Sequence, residues 1–187
     1  MEKLISDVKK ISRNSGGFTN QDLMDILKGQ REVGNKYKTH FFGMFAQFFC
    51  IIAREIINQF GEKGREVLES AVKKYGEERG RRIADLVRSL GKELNLKNFF
   101  IYGDLDSRDV LKYKPKIVDG NFELLIRNCV FANACRDWNL EEYGKIYCQY
   151  VDQAILRGYN PDLKLELPSR MLLGGKKCHF RYIVTKE

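Results

Sequence analysis

The chain has 187 residues, of which 43% are apolar and 12% aromatic, and it contains three prolines beside sixteen glycines. This composition is typical of a folded chain and excludes a disordered or low-complexity one. The 33 Lys and Arg residues outnumber the 25 Asp and Glu residues, giving a net charge of +8. The excess is spread over both halves without a basic stripe, so we expect no nucleic-acid partner.

The N-terminal residues MEKLISDVKK carry too many charges for the apolar core of a signal peptide. The longest apolar stretch has thirteen residues, Phe41 to Ala53, whereas crossing a bilayer takes about 20. It therefore predicts a buried helix and no membrane partner. Five cysteines, an odd number without a C-x-x-C pair, argue against a disulfide framework and a zinc ribbon. We expect a cytoplasmic chain with free thiols.

Residues 1–95 are predicted to be mainly helical, because their apolar residues recur every three to four positions. Three helical patterns follow one another: a short one capped at Thr19 to Gln21 and ending near Gly29, a long buried one from about Tyr37 to Phe60, and one from Val67 to Gly91 that breaks near Gly76 or Gly80.

Residues 96–187 are predicted to form strands around one helix. The predicted elements are a β-favouring run at Phe99–Tyr102, a hairpin turning at Asp119-Gly120, a helix from an Asn139 cap to about residue 157 with Gly158 as its stop, a strand at Leu163–Leu167, and a terminal hairpin of Met171–Leu173 and Cys178–Val184. This order predicts a single α+β domain over residues 1–187, with N-terminal helices packed on an antiparallel sheet and one long helix in the C-terminal half.

Helical spacing selects one pair of chemically interesting residues. Cys148 and Asp152 are one turn apart on the predicted helix, beside its apolar stripe. A carboxylate on a packing face is costly unless it is hydrogen-bonded or functional. Two interpretations stay open: Asp152 and Cys148 form a reactive site, or Asp152 caps a neighbouring loop and Cys148 is a small core residue.

Strand alternation places Cys178 on the inward face of the last strand and His179 on the outward face. Neither of the two histidines shares a helical face with a cysteine, so the spacing indicates no Cys-His dyad. The spacing of Cys129 and Cys135 is not a standard ligand spacing, and we expect no metal. The Gly174-Gly175 pair lacks the pattern of a phosphate loop and predicts a hairpin turn.

Fragments from residue 74 to residue 182 resemble one family of bacterial proteins. They are Lys74-Tyr-Gly-Glu-Glu-Arg-Gly80, Cys129 with Phe131 and Ala132, Trp138, Glu142-Tyr-Gly-Lys-Ile-Tyr-Cys148, Asp152, Gly158-Tyr-Asn-Pro161, Leu163-Lys-Leu165 and Gly174-Gly-Lys-Lys-Cys178-His-Phe180. Taken as a set, they resemble the L-2-amino-thiazoline-4-carboxylic acid hydrolase family.

The resemblance implies hydrolytic opening of a 2-aminothiazoline ring at its amidine-like carbon, with a carbamoyl-cysteine as product and no cofactor. On this hypothesis the chain is a small hydrolase acting on a cyclic amidine or a related C–N bond. Cys148 and Asp152 are the catalytic candidates, and Cys178, Asn160 and His179 are the substrate-binding candidates. His179 stands where an acidic residue is expected, which predicts a different substrate contact there.

Two other hypotheses remain open. One is a non-catalytic small-molecule-binding or sensor module resembling the vinyl-reductase-associated domains, and the other is a structural partner protein. A deep pocket containing Asp152 would favour either small-molecule hypothesis, and turnover of a ligand would separate the enzyme from the binding module.

Overall fold

The computed structural model describes residues 18–36, 38–106 and 110–183. Their helices are α1 (Asn20–Val33), α2 (Phe41–Phe60), α3 (Glu62–Ser89), α4 (Leu96–Ile101), α5 (Val130–Asp137) and α6 (Glu141–Tyr159). Their strands are β1 (Leu111–Val118), β2 (Asn121–Cys129), β3 (Lys164–Ser169) and β4 (Cys178–Ile183), paired antiparallel in the order β1-β2-β4-β3. The predicted α+β class is confirmed. One domain over the whole chain stays a prediction.

The described residues up to Thr39 form a unit of their own around α1. Thr19 caps this helix: its hydroxyl accepts from the Asp22 N–H at 3.2 Å, and the Asp22 carboxylate accepts from the Thr19 N–H at 2.7 Å. The predicted cap is therefore confirmed. The predicted end at Gly29 is wrong, because an interior glycine weakens a helix without ending it. The helix ends at Gly34, whose φ of 57° suits glycine.

The remaining described residues, from His40 onward, form the second unit, which begins with α2. The His40 imidazole caps this helix by accepting from the Phe42 N–H at 3.0 Å. Only one side of α2 is buried, whereas the sequence predicted burial nearly all round. The exposed side carries Phe41, Met44, Phe48 and Ile52.

By length and composition α2 is long and apolar enough to cross a membrane, and 22% of its most apolar window is buried. The argument that the apolar stretch is too short therefore fails for the helix as a whole, which has 20 residues. The absence of a membrane partner and the cytoplasmic location both stay predictions.

Helices α3 and α6 cross at a contact made by glycines. A Cβ atom on Gly80 would lie 2.1 Å from the carbonyl oxygen of Ile155, and one on Gly158 would lie 2.2 Å from that of Glu77. These glycines let the two backbones touch. The break predicted near Gly76 or Gly80 is therefore wrong, and so is the stop predicted at Gly158, since both helices continue through their glycines.

The start of α6 also differs from the prediction. Asn139 adopts a φ of 54° in the turn between α5 and α6, and Leu140 precedes the first helical residue. Asn139 is therefore not the helix cap. Its left-handed backbone, which asparagine tolerates better than most residues, allows the Leu140 N–H to reach the Cys135 carbonyl at 2.8 Å.

The β-favouring run at Phe99–Tyr102 belongs largely to a helix, α4. The Asn95 side chain caps this helix by accepting from the Asn98 N–H at 3.0 Å. Phe99 packs against Tyr159 with ring centroids 5.1 Å apart. The aromatic side chains thus serve tertiary packing, which overrides local strand preference.

The first hairpin of the sheet is confirmed. Asp119 and Gly120 have φ values of 51° and 78°, as a two-residue turn between twisted strands requires. The terminal hairpin is corrected, because Met171–Leu173 is a short 3₁₀ turn and β4 pairs instead with β2 and β3. The Gln153 amide donates to the Leu165 carbonyl at 3.1 Å, which ties α6 to β3.

Candidate functional site

Gly144, Cys148 and Asp152 follow one another at single-turn intervals along one side of α6. Gly144 allows this side to approach α5, because a Cβ atom there would lie 2.6 Å from the sulfur of Cys135. Cys148 packs against the main apolar core. The helix therefore holds Asp152 beside a tightly packed region that contains several sulfur atoms.

Asp152 is a partly buried carboxyl group that has no hydrogen-bonding partner among the described residues. In residues 18–36, 38–106 and 110–183, nothing donates a hydrogen bond to its side chain or forms an ion pair with it. Burial raises the pKa of Asp152 to about 6, against the opposing charges of Arg170 and Arg79. The capping role is therefore not supported.

The charge of this carboxylate acts on three thiols. Burial raises the pKa of Cys129, Cys148 and Cys178, and the negative charge of Asp152 raises each of them further. The Cys178 sulfur also accepts from the Met171 N–H at 3.3 Å. Thiols with raised pKa values stay protonated at neutral pH, so these groups are poor nucleophiles.

Two more thiols lie deeper. The sulfur atoms of Cys50 on α2 and Cys135 on α5 are 3.4 Å apart, and both residues are fully buried. The hydrogen bond with Cys50, together with burial, raises the pKa of Cys135. This pair joins two helices through an interior S–H···S contact, away from solvent.

Arg79 brings a fixed positive charge toward Asp152 from α3. Its Nε donates to the Asp104 carboxylate at 2.9 Å, and its guanidinium lies 5.6 Å from the Tyr75 ring centroid. Burial lowers the pKa of Arg79, but the hydrogen bond and charge of Asp104 raise it above its ordinary value. Arg79 therefore has Asp104 as its ion-pair partner, and its charge acts on Asp152 without an ion pair between the two.

A cleft of about 330 Å³ opens at the end of β3. Its walls come from residues 167–170 and 173–175, with Arg170 among them. Cys148, Asp152 and Cys178 share an electrostatic neighbourhood but do not line this cleft. Arg170 is related to both the cleft and this group of residues. It lines the cleft, and its charge lowers the pKa of Asp152 and of Cys178.

His179 lies on the other face of the sheet, as the alternation predicted. Its Nε2 is 2.8 Å from the Glu123 carboxylate, which the Lys116 ammonium also meets at 2.9 Å. Hydrogen bonds from Lys116 and His179 lower the pKa of Glu123. The structure does not bring His179 to Asp152, and its role in substrate binding stays a prediction.

The Asn160 side chain bonds two backbone groups at the end of α6. Its amide donates to the Leu94 carbonyl at 2.7 Å, and its side-chain oxygen accepts from the Asp162 N–H at 2.9 Å. Both polar ends of the side chain are thus occupied by backbone groups. The structure does not bring Asn160 to the thiols, so a contact with substrate stays a prediction.

The sequence patterns did not single out Arg79 and Arg170, the two arginines whose charge acts on Asp152. Arg79 sits in a charged run that resembles a solvated surface, but it is seven residues after Val72 and four before Ile83, both buried. This helical spacing indicates that Arg79 lies on the same side of α3 as those buried residues. Arg170 stands between a strand and a 3₁₀ turn, where no period exists to show its direction.

No group of three or more His, Cys, Asp or Glu side chains in the described part of the chain could hold a metal ion. The sequence profile of the L-2-amino-thiazoline-4-carboxylic acid hydrolase family matches residues 42–182. The resemblance inferred from residues 74–182 is therefore confirmed and extends back to α2.

No curated protein matches the chain. Among solved structures, it is similar to a trafficking protein particle complex subunit 3 from Naegleria fowleri covalently bound to palmitic acid. The identity is 12%, the match covers 78% of this chain and 95% of that chain, and the TM-score is 0.47. A likeness at this level carries no argument about fold or function.

Proposed function

Because this chain belongs to the L-2-amino-thiazoline-4-carboxylic acid hydrolase family, we propose that it opens a cyclic amidine by hydrolysis, with 2-amino-thiazoline-4-carboxylate or a close relative as substrate. The family supports a hydrolase-like function, and the particular substrate is our proposal. The observation that carries it is the Asp152 carboxyl group, which is partly buried, lacks a hydrogen bond from the described residues and has a pKa raised to about 6.

We assign Asp152 the role of general base. A base works best when its pKa lies near the working pH, because it is then both ionised and able to hold a proton. An ordinary exposed aspartate has a pKa near 4 and is a weaker base. Burial supplies the difference here, and an amidine-type substrate supplies the N–H groups that the carboxylate lacks.

The proposed reaction consumes one water molecule. As the water oxygen bonds to the ring carbon between nitrogen and sulfur, Asp152 accepts the proton that the water loses. The carbon–sulfur bond of the resulting tetrahedral intermediate then breaks, and its electron pair leaves with sulfur, which takes the proton that Asp152 holds. The hydroxyl group on the same carbon gives its remaining proton to the former ring nitrogen, and the carbon becomes a carbonyl. The product is N-carbamoylcysteine, so the bond broken in this ring is C–S and the neighbouring C–N bonds remain.

Cys148 has a packing role in this proposal. Attack by its sulfur would need a thiolate, but burial and the Asp152 charge raise the pKa of Cys148 well above its ordinary value. A cysteine nucleophile requires a nearby cation or base that lowers its pKa. The raised pKa therefore favours direct attack by water over a covalent enzyme intermediate.

The test is hydrolysis of 2-amino-thiazoline-4-carboxylate in ¹⁸O-labelled water, followed by mass spectrometry of the product and of the intact protein. We expect N-carbamoylcysteine carrying one ¹⁸O atom, formed faster than with heat-denatured protein, and no mass adduct on the chain. Product formation no faster than in the denatured control would contradict the proposal.

A second candidate is a small-molecule-binding module without turnover. The cleft of about 330 Å³ favours it, since Cys148, Asp152 and Cys178 do not line this cleft. It predicts saturable binding of the same compound, measured by calorimetry, with the compound recovered unchanged after long incubation.

A further inference from the structure

Arg170, which lines the cleft at the end of β3, has a buried Nε to which no described residue is hydrogen-bonded. The Nε of Arg170 is out of contact with solvent, and no described residue accepts its proton. Arg181 also has an unbonded Nε, but its guanidinium lies 3.6 Å from the Glu123 carboxylate and thus has an anionic neighbour. No ion pair is formed by Arg170 within the described ranges 18–36, 38–106 and 110–183.

An unbonded, desolvated N–H of a charged group is costly, because the group gives up water without gaining another acceptor. Native proteins satisfy nearly all such groups. The guanidinium is moreover a planar donor that matches the two oxygens of a carboxylate. The missing partner of Arg170 is therefore best supplied by an anionic group of a ligand.

The backbone around Arg170 is held in place from three sides. Its carbonyl accepts from the Leu173 N–H at 3.1 Å and from the Gly175 N–H at 2.9 Å. The next residue, Met171, is held by the Arg136 guanidinium, which donates to its carbonyl at 3.1 Å. A Cβ atom on Gly175 would lie 2.9 Å from the Arg170 carbonyl oxygen, so a side chain there would push this turn apart.

Arg170 lines the cleft, and its charge also acts on Asp152. It lines the cleft of about 330 Å³, which is large enough for a small ring compound. It also contributes a positive charge that opposes the raised pKa of Asp152. A ligand that Arg170 holds there must therefore carry a negative group.

We propose that Arg170 binds the carboxylate of the substrate at the cleft by the end of β3. This inference rests on the proposed function and names the residue that gives it specificity for carboxylated rings. It follows that the ring acid binds tightly, whereas the same ring without a carboxylate binds weakly.

The test uses thiazolidine-4-carboxylate, a ring of the same size that keeps the carboxylate but has no amidine carbon to hydrolyse. Its affinity is measured by isothermal titration calorimetry for the parent, Arg170→Met, Arg170→Lys and the control Arg82→Met. Arg82 lies on the exposed surface of α3, where it pairs with Glu78 at 3.1 Å.

We expect Arg82→Met to bind like the parent and Arg170→Met to lose about 30-fold or more in affinity. Arg170→Lys keeps the charge without the planar fork and should lie between them. Equal affinity of Arg170→Met and the parent, or no binding by the parent at millimolar ligand, would overturn the inference. If melting curves show that Arg170→Met is unfolded, Arg170→Lys carries the comparison with the parent.

Turnover of 2-amino-thiazoline-4-carboxylate is measured in the same preparations. Binding that depends on Arg170 without any hydrolysis by the parent would contradict the proposed function and leave this inference standing. Hydrolysis by Arg170→Met with the parent kcat/KM would contradict this inference and leave the proposed function standing.

Discussion

The Asp152 carboxylate and the Cys148 thiol are one helical turn apart on α6, and burial together with that negative charge raises the pKa of the thiol well above its ordinary value. The same burial raises the pKa of Asp152 to about 6. One environment therefore makes the carboxylate a better base and the thiol a worse nucleophile. Under the proposed function, this contrast favours Asp152 as the reacting group and a packing role for Cys148.

Replacing Cys148 by serine tests that assignment. We expect Cys148→Ser and Cys148→Ala to keep kcat within about tenfold of the parent, because neither removes the proposed base. Removing a true nucleophile costs orders of magnitude more. The measurement is kcat and KM beside the melting temperature. A loss above about 1,000-fold with an unchanged melting temperature would identify Cys148 as the nucleophile instead.

The raised pKa of Asp152 also predicts a dependence of stability on pH. Below pH 4 the carboxyl group is protonated in both the folded and the unfolded chain, whereas above pH 6 the folded chain holds a poorly solvated charge. Asp152→Asn should therefore raise the melting temperature by about 2–6 °C at pH 7.5. This gain should shrink as the pH falls from 6 toward 4.

Asp162→Asn, a change at an exposed aspartate, is the control for this measurement. It should leave the pH dependence of the melting temperature unchanged. A lower melting temperature for Asp152→Asn than for the parent at pH 7.5 would show that the carboxylate stabilises the fold and is not free for a ligand.

The glycine contact between α3 and α6 predicts a large difference between two Gly→Ala changes. Gly80→Ala places a methyl group 2.1 Å from the Ile155 carbonyl oxygen and should cost about 1–3 kcal/mol or more in the free energy of unfolding. Gly29→Ala meets no atom within 4 Å and should cause no loss, because alanine favours helix. Urea unfolding measures both, and a stable Gly80→Ala variant would contradict the close crossing.

All five cysteines are free thiols in the structure. Alkylation of denatured protein without reductant should therefore label five positions. In the native protein, the fully buried Cys50 and Cys135 should react more slowly than the partly exposed Cys129. Mass spectrometry after peptide digestion reads each position, and a stoichiometric disulfide between any two of them would contradict the thiol state.

Local patterns sufficed for parts of the fold and of the site. The Asp119-Gly120 turn depends on two residues that accept positive φ, and the positions of Cys148 and Asp152 on one side of α6 follow from helical period. The predicted break near Gly76 or Gly80 is wrong because these glycines make room for α6, which lies some 80 residues further along the chain. A local sequence pattern contains no information about such a contact. Arg170 was missed for a similar reason, since its direction depends on Arg136 and Gly175.

The central claim is that the Asp152 carboxylate removes a proton from water during ring opening, and one measurement tests it most directly. It is kcat for 2-amino-thiazoline-4-carboxylate between pH 5 and pH 9, determined for the parent, Asp152→Asn and Asp162→Asn. We expect the parent and Asp162→Asn to gain activity as the pH rises through about 6, where Asp152 ionises. Asp152→Asn should be about 100- to 10,000-fold slower while remaining folded. Parent-like kcat values for folded Asp152→Asn would contradict the account.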